Sequence, residues 1–429
     1  MGGVYPLPRD GLTLSSSRSC HLFFYEGYIG VAPTVWNLIK ALDRVGFSVT
    51  IFASRNPYPP PARGGENPGV IYFLKPSDVP VLSFLLRNLY RVGMETAVPA
   101  IELAVYAMRC AVRLLRRRKR TGDLEISVGI DTNGSVAALL QRILTGRRYA
   151  YLSLELPSRL GYGFLAWWIP PIARAAFRKA ECVIVQDRDR YEILCDTLRY
   201  RHPVVFFLPN APTGSGALSG EAREEGNFLR SRLGLGEKDY PLILLHAGMI
   251  HDAVMSKELA RTFKSIEGGY ALVFHERMKR EAGDPYIREL RKINGRNLFL
   301  SLDPLPIEEV DRLYASATIG LAFYKDLDSN FSLMSMASGK LGYYLKHGKP
   351  VLVNDLPSLS TFVESREIGV VVRDPCDPAQ MRRAVESILA NYARFSANAR
   401  KCFLEELDFD RNVIPVTTFL GQVAERSRP

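Results

Sequence analysis

Short apolar runs alternate along the chain with longer segments whose apolar residues recur every three or four positions. The first run, HLFFYEGY at His21–Tyr28, suits a strand buried in a parallel sheet. The loop GYIGVAP follows, then PTVWNLIKALDRVG, in which Val35, Leu38, Ile39, Leu42 and Val45 fall on one helical stripe. Pro33 suits the first turn of that helix and Gly46 the position past its end. FSVTIFAS, from Phe47, is the next strand, and the Pro/Gly-rich stretch NPYPPPARGGENPG is incompatible with regular structure. VIYFL, DLEISVGID, RRYAYLSLE, ECVIVQD and VVFFLPN continue as strands, with helical segments between most of them. Such a β-α-β series implies a parallel sheet covered on both faces.

The stretch NAPTGSGALSGEAREEG, from Asn210, is poor in apolar bulk and reads as a linker or first loop. A second series follows it, with YPLILLHAG, YALVFHE, NLFLSL, ATIGLAFY, KPVLVND and GVVVRDP as strands. SKELARTFKSIEG, EEVDRLYAS, GKLGYYLKHG and the long PAQMRRAVESILANYARFSANAR are the helices between and after them. At 429 residues the chain is long for one core. The pattern predicts an α/β protein of two Rossmann-like, doubly wound parallel-sheet domains facing a central cleft. The expected units are a flexible lead-in over 1–18, a first domain over 19–212, a second over 213–404, and a C-terminal helix in 405–429 crossing back to the first domain. Ligands of such sheets bind at the carboxyl ends of the strands, so the cleft is the expected site.

One local pattern carries chemistry. In ATIGLAFYKDLDSNFSLMSMASGKLGYYLKHGKPVLVND a strand ends near Tyr324, a polar loop follows, and a helix starts at Ser338, a good N-cap. Gly348 and Pro350 end that helix. Free amides, the helix dipole, Gly339 and Lys340 together make a phosphate site, or else a plain capped helix whose lysine points to water.

This stretch resembles the donor-binding segment of GT-B glycosyltransferases similar to family 4. There a helix starts on a pattern of the kind S-x-K-L-x-E-Y-x-x-x-G-K-P-V. Ser338, Lys340, Leu341, Tyr344, Gly348, Lys349, Pro350 and Val351 match it. Tyr343 stands where the family usually has a glutamate that holds the donor ribose. LILLHAGMIHDAVMSKELARTF is similar to the first strand, glycine loop and helix of the family's donor domain, with Gly248 in the loop. Met249 stands where an arginine for the diphosphate is expected, and His251 and Lys257 are the nearest polar substitutes. His275 and Glu276, ending the strand ALVFHE, face the base or the sugar, or form a solvated loop pair.

In the first half, Gly27 and Gly30 flank the turn after the first strand, either admitting an acceptor closely or simply making a tight turn. Asp131, Asn133 and Gly134 follow a strand in GIDTNG, at the crevice or as the cap of the helix SVAALLQRIL. YLSLELP resembles a family segment ending in His-Glu, with Leu154 at the histidine position and Glu155 keeping the acid. Glu155 either handles the acceptor hydroxyl or is a structural glutamate. Strand-end position and the resemblance together assign Glu155, Asp131 and Lys340 to catalysis. Gly248, His251, His275, Glu276, Ser338, Gly339, Lys340 and Tyr343 fall to the donor, and Gly27, Gly30 and Asn133 to the acceptor. It implies retention of anomeric configuration, although Leu154 and Tyr343 leave inversion open. GT-B enzymes generally need no metal, because helix dipoles and cationic side chains offset the leaving diphosphate. No metal and no cofactor beyond the nucleotide-sugar substrate is expected.

Charge adds a partner. Lys and Arg outnumber Asp and Glu by 27 to 16 up to Pro212 and balance at 29 to 29 from Thr213 onward. The first half should therefore meet an anionic surface. Within 79–120, Ile101, Val105, Met108, Val112 and Leu115 form an apolar stripe beside Arg109, Arg113 and Arg116, and the segment ends in RLLRRRKR. That is how a helix lies in an anionic lipid interface; a domain helix with a solvated basic end has the same pattern. Two tryptophans in LGYGFLAWWIPP suit the headgroup zone, or a buried aromatic hinge. The basic run is short and lacks a nucleic-acid motif, so nucleic acid is not expected. No spanning helix and no secretory signal is legible. The six cysteines are scattered, as suits reduced structural thiols.

These readings predict a cytoplasmic enzyme, peripheral at the inner face of the cell membrane. It would move a sugar from a nucleotide donor to a lipid-linked or polysaccharide-precursor acceptor in bacterial surface glycan assembly. A nucleotide-sugar epimerase of the same fold and a non-catalytic GT-B subunit are the alternatives.

Overall fold

In the computed structural model the described residues are 18–55, 69–73, 75, 98–115, 124–157, 169–214, 227–281, 283–293 and 295–426. Residues 1–17, 79–97, 116–120 and 160–168, on which parts of the lead-in, basic-segment and tryptophan readings fall, lie outside them.

The first lobe holds β1 (Arg18–Phe24), β2 (Phe47–Ser54), β3 (Gly69–Phe73), β4 (Leu124–Ile130), β5 (Tyr149–Leu152), β6 (Val183–Val185) and β7 (Val205–Phe207). Its helices are α1 (Pro33–Arg44), α2 (Val98–Leu115), α3 (Asp131–Thr145), α4 (Ile169–Lys179) and α5 (Arg188–Leu198). The strands pair in parallel in the order β3-β2-β1-β4-β5-β6-β7. The second lobe holds β8 (Leu242–Gly248), β9 (Tyr270–Glu276), β10 (Leu298–Ser301), β11 (Ile319–Ala322), β12 (Val351–Asn354) and β13 (Gly369–Val372), also parallel, in the order β10-β9-β8-β11-β12-β13. Around it lie α6 (Phe228–Leu233), α7 (Ser256–Lys264), α8 (Pro285–Lys292), α9 (Val310–Ala315), α10 (Ser329–Ser332), α11 (Gly339–Lys346), α12 (Pro357–Ser365), α13 (Pro378–Ala390) and α14 (Tyr392–Cys402). The two doubly wound sheets implied by the alternating apolar runs are both present.

Each sheet separates two apolar cores, one per face. One core of the first lobe includes Phe409, Val413, Val416, Leu420, Val423 and Ala424. These come from α15 (Phe409–Asn412), α16 (Ile414–Glu425) and Val413 between them, so both helices pack on the first lobe. The two crossings between lobes run side by side: the Phe409 amide donates to Pro212 O at 3.2 Å and the Gly214 amide to Asp408 Oδ1 at 2.8 Å.

Two details differ from the sequence pattern or extend it. The single helix expected from Pro378 to Arg400 is two, because Asn391 ends α13 with its amide on Ile388 O and Leu389 O and α14 restarts after it. Helix α2 is apolar on two faces. Leu103, Tyr106, Ala107, Cys110 and Leu114 are buried, with the Tyr106 hydroxyl on Phe52 O at 2.8 Å, while Met108, Val112 and Leu115 of the predicted stripe are exposed. Among the described residues no helix is long and apolar enough to cross a membrane. All six cysteines are free, and five are buried.

Candidate active site

The carboxyl ends of both sheets open onto a cavity of about 430 Å³ between the lobes, within the range of small-molecule sites. The first lobe lines it with Gly30, Val31, Pro33, Glu155 and Asn210. From the second lobe come Gly248 and Met249 after β8, His275 and Arg277 at the end of β9, Tyr324 after β11, and Ser338, Gly339, Lys340 and Tyr343 of α11. The loop before α11 and the apolar residues around α9 complete the wall.

Helix α11 begins as its sequence predicts. Ser338 is extended, and its Oγ accepts from the Leu341 amide at 3.4 Å and pairs with Tyr324 Oη at 2.5 Å. Gly339 and Lys340, first-turn residues with no carbonyl one turn back, face the cavity. Lys340 Nζ lies 4.9 Å above the Tyr324 ring and 3.4 Å from His246 Nε2. Burial and the nearby Arg277 push the Lys340 pKa down to about 7, and burial keeps His246 neutral. Gly248 has φ +116°, and a Cβ there would sit 3.7 Å from Lys340 Cε. A side chain at 248 would thus be strained by the backbone conformation. Two basic groups therefore meet at a helix start, an arrangement that favours an anion.

The predicted site residues divide. Glu155, Gly30, Gly248, His275, Ser338, Gly339, Lys340 and Tyr343 line the cavity; Asp131, Asn133, Gly27, His251 and Glu276 do not. Asp131 neither caps α3 nor lines the cavity. Its Oδ1 accepts from the Leu154 and Glu155 amides at 2.6 and 2.9 Å, and burial raises its pKa to about 7. It positions the loop that carries Glu155. Asn133 donates to Glu26 Oε1 at 3.5 Å, and Gly134 lets α3 approach β1, since a Cβ would meet Phe23 O at 2.0 Å. Gly27 forms the turn whose carbonyl takes the Ile29 amide at 2.7 Å. His251 is spent outside the cavity: Nδ1 accepts from the Ala253 amide at 3.2 Å and the ring stacks on Tyr286. Glu276 is fully buried and braces the glycine loop, accepting from the Ile250 and Met278 amides, both at 3.0 Å, and from Arg280 Nε at 2.7 Å. Lys257 pairs with Glu289 at 2.8 Å. His275 is buried with Nδ1 2.9 Å from Ser301 Oγ, and burial holds its pKa near 4, so it stays neutral. Glu155 is open to the cavity, its side chain 72% exposed, and desolvation by the surrounding walls raises its pKa.

Other site residues escaped the motif reading. Arg277 is the first residue beyond β9, and that position at a strand end was its only signal. Arg190, 1% exposed on α5, donates through Nη2 to Leu154 O and Asn330 Oδ1, both at 3.0 Å, and through Nη1 to Leu333 O at 3.3 Å. Asn330 also pairs with the Leu156 amide and carbonyl, at 2.7 and 3.1 Å. Asn210 takes the Thr34 hydroxyl at 2.8 Å and donates to Ala337 O at 3.0 Å. These bonds tie the loop before α11 to the first lobe, so the two walls of the cavity are held as one unit.

The architecture has solved counterparts. HepE of Anabaena in complex with UDP is 13% identical, with 94% of this chain and 100% of that one covered at a TM-score of 0.62. Sucrose-phosphate synthase of Thermosynechococcus elongatus is 15% identical, with 95% and 100% covered at 0.62. The UDP-forming α,α-trehalose-phosphate synthase of Burkholderia xenovorans, in complex with glucose-6-phosphate, is 12% identical, with 95% and 99% covered at 0.63. The chain has the GT-B fold. No family model matches the sequence, and no curated protein matches it. Within the GT-B frame, the cavity between the two lobes holds the helix start, Lys340 and Arg277.

Proposed function

We propose that the protein is a glycosyltransferase that moves a sugar from a nucleotide donor to an acceptor hydroxyl. The observation that carries this is the convergence of Lys340 and Arg277 on the start of α11, inside a cavity whose opposite wall presents Glu155. The donor diphosphate lies against Ser338, Gly339 and Lys340. The bond between the anomeric carbon and the diphosphate oxygen breaks, and the bond to the acceptor oxygen forms. The helix amides and the two cations hold the charge that builds on the leaving diphosphate. Glu155, open to the cavity, would receive or orient the acceptor proton. GT-B structures similar to this one hold UDP and UDP-glucose, which makes UDP-sugars the first donors to test. A donor present at 100 times its Kd adds about 2.7 kcal/mol of stability, a readily measured rise in Tm. The test is a thermal-shift screen of UDP-, GDP-, ADP- and dTDP-sugars, followed by incubation of the hit with and without acceptors. Acceptor-dependent release of nucleoside diphosphate is expected; no shift with any donor refutes the reading. An isomerised sugar formed from donor alone makes the protein an epimerase, and binding without turnover makes it a non-catalytic subunit.

We also infer that the acceptor is met at an anionic membrane. Met108, Val112 and Leu115 are 57%, 39% and 55% exposed on one face of α2, with Arg113 exposed beside them. Helices α2, α3 and α4 lie side by side. Ile143 and Leu144 are exposed at the end of α3, and Arg178 and Lys179 at the end of α4. Apolar residues among cations fit an anionic lipid interface. The protein is expected to sediment with phosphatidylglycerol vesicles at low salt, and the triple variant Met108→Ser, Val112→Ser, Leu115→Ser to lose most of that binding. Wild-type protein left in the supernatant at low salt overturns this part.

A further inference from the structure

The part of the cavity behind the phosphate site differs in chemistry from its mouth. Tyr343 follows Lys340 by three residues on α11, so it lies about 4.5 Å further along the helix on nearly the same face. A group attached to a phosphate at the helix start reaches it next. The Tyr343 ring is 7% exposed and stacks on Tyr314, with centroids 4.7 Å apart and planes 11° from parallel. Tyr314 is in turn edge-on to Tyr344 at 4.9 Å. Leu305, Ile307, Val310 and Leu313 line the same region.

A ribose brings two vicinal hydroxyls, and a desolvated site reads them with acceptors that take both protons, such as a carboxylate. Among the described residues this end of the cavity has no such group. The acids that line the cavity are Glu155 and Asp328, from the loop after β5 and the loop before α10. Asp311, the nearest acid on α9, is held by Lys346 Nζ at 2.8 Å and His347 Nε2 at 2.9 Å. What remains is the Tyr343 phenol, a single hydroxyl that burial keeps protonated. It serves one sugar hydroxyl, so a second hydroxyl gains no side-chain partner there.

We infer that Tyr343, backed by Tyr314, makes the donor site indifferent to the 2′-hydroxyl, so that 2′-deoxynucleoside diphosphate sugars are taken as well as ribonucleoside ones. This rests on the cavity being the donor site, and it names Tyr343 as the residue that sets nucleoside selectivity.

The test is calorimetric titration of wild-type protein with UDP, dUDP and dTDP. The Kd values of UDP and dUDP are expected to agree within about threefold, less than 1 kcal/mol. A preference for UDP above about tenfold, some 1.4 kcal/mol, overturns the inference while leaving the donor site standing. Failure of all three to bind overturns the donor reading itself. Tyr343→Phe should weaken UDP and dUDP equally, whereas Tyr343→Glu, which supplies the missing acceptor pair, should create a preference for UDP of at least about tenfold. Because the readout is a ratio, a general loss of stability in a variant does not move it, and the wild-type ratio decides the matter even if a variant fails to fold.

Discussion

Replacing Lys340 by methionine is expected to lower kcat/KM for transfer about 100- to 1000-fold, the usual effect of removing one preorganised donor from a developing anion. The same change should raise Tm below neutral pH. The two effects have opposite signs because Lys340 is desolvated beside Arg277, and among the described residues no carboxylate pairs with it. A buried, unpaired cation costs folding energy, and methionine keeps most of the apolar stem while removing the charge. On the proposed function, the stability given up here would be recovered on binding the diphosphate. Steady-state kinetics and calorimetry on the variant check both halves. A variant that loses stability together with activity would mark Lys340 as a structural residue.

Donor binding should also consume protons. The groups facing Lys340 Nζ are Arg277, the neutral His246 and the Tyr324 phenol, whose pKa burial raises. Lys340 therefore titrates near 7 in the empty cleft, against 10.5 for an ordinary lysine. Above pH 7 the empty site is neutral at this position. A bound diphosphate favours the charged form, so its arrival returns a proton to the lysine. Affinity for UDP-glucose, whose esterified diphosphate does not titrate in this range, should fall above pH 7 by up to about tenfold per pH unit. Calorimetry at about pH 9 in buffers of different ionisation enthalpy should show proton uptake, and at about pH 6 almost none. Uptake that is equal at both values would contradict the mechanism. The same displacement acts on folding with a fixed sign. Between about 7 and 10.5 the unfolded chain binds the extra proton, so the empty protein gains stability from this group as pH rises.

The fold was legible because a strand buried on both faces must be apolar throughout. Runs such as FSVTIFAS and YALVFHE are strands from their first residue to their last. The start of α11 was legible for a similar reason, since capping at Ser338 is a local matter. Other features depend on residues far away in the chain. A carboxylate at a strand end has the same neighbours in sequence whether it lines the cavity, as Glu155 does, or braces a loop, as Asp131 and Glu276 do. Arg277 belongs to no motif and matters only because β9 lies next to β8, where the arginine expected at position 249 is a methionine. The outward stripe of α2 could not be told from a buried one, because both faces of that helix are apolar and the sheet took the face with Tyr106.

The pairing of α16 with the first lobe bears on how the protein is made. Val413, Val416, Leu420 and Val423 fill a core whose other walls, from β1 and α1, leave the ribosome long before them. During synthesis that core stays open until the whole second lobe has been translated. The early lobe must wait with apolar surface uncovered, while the later lobe can close as soon as its own last helix emerges.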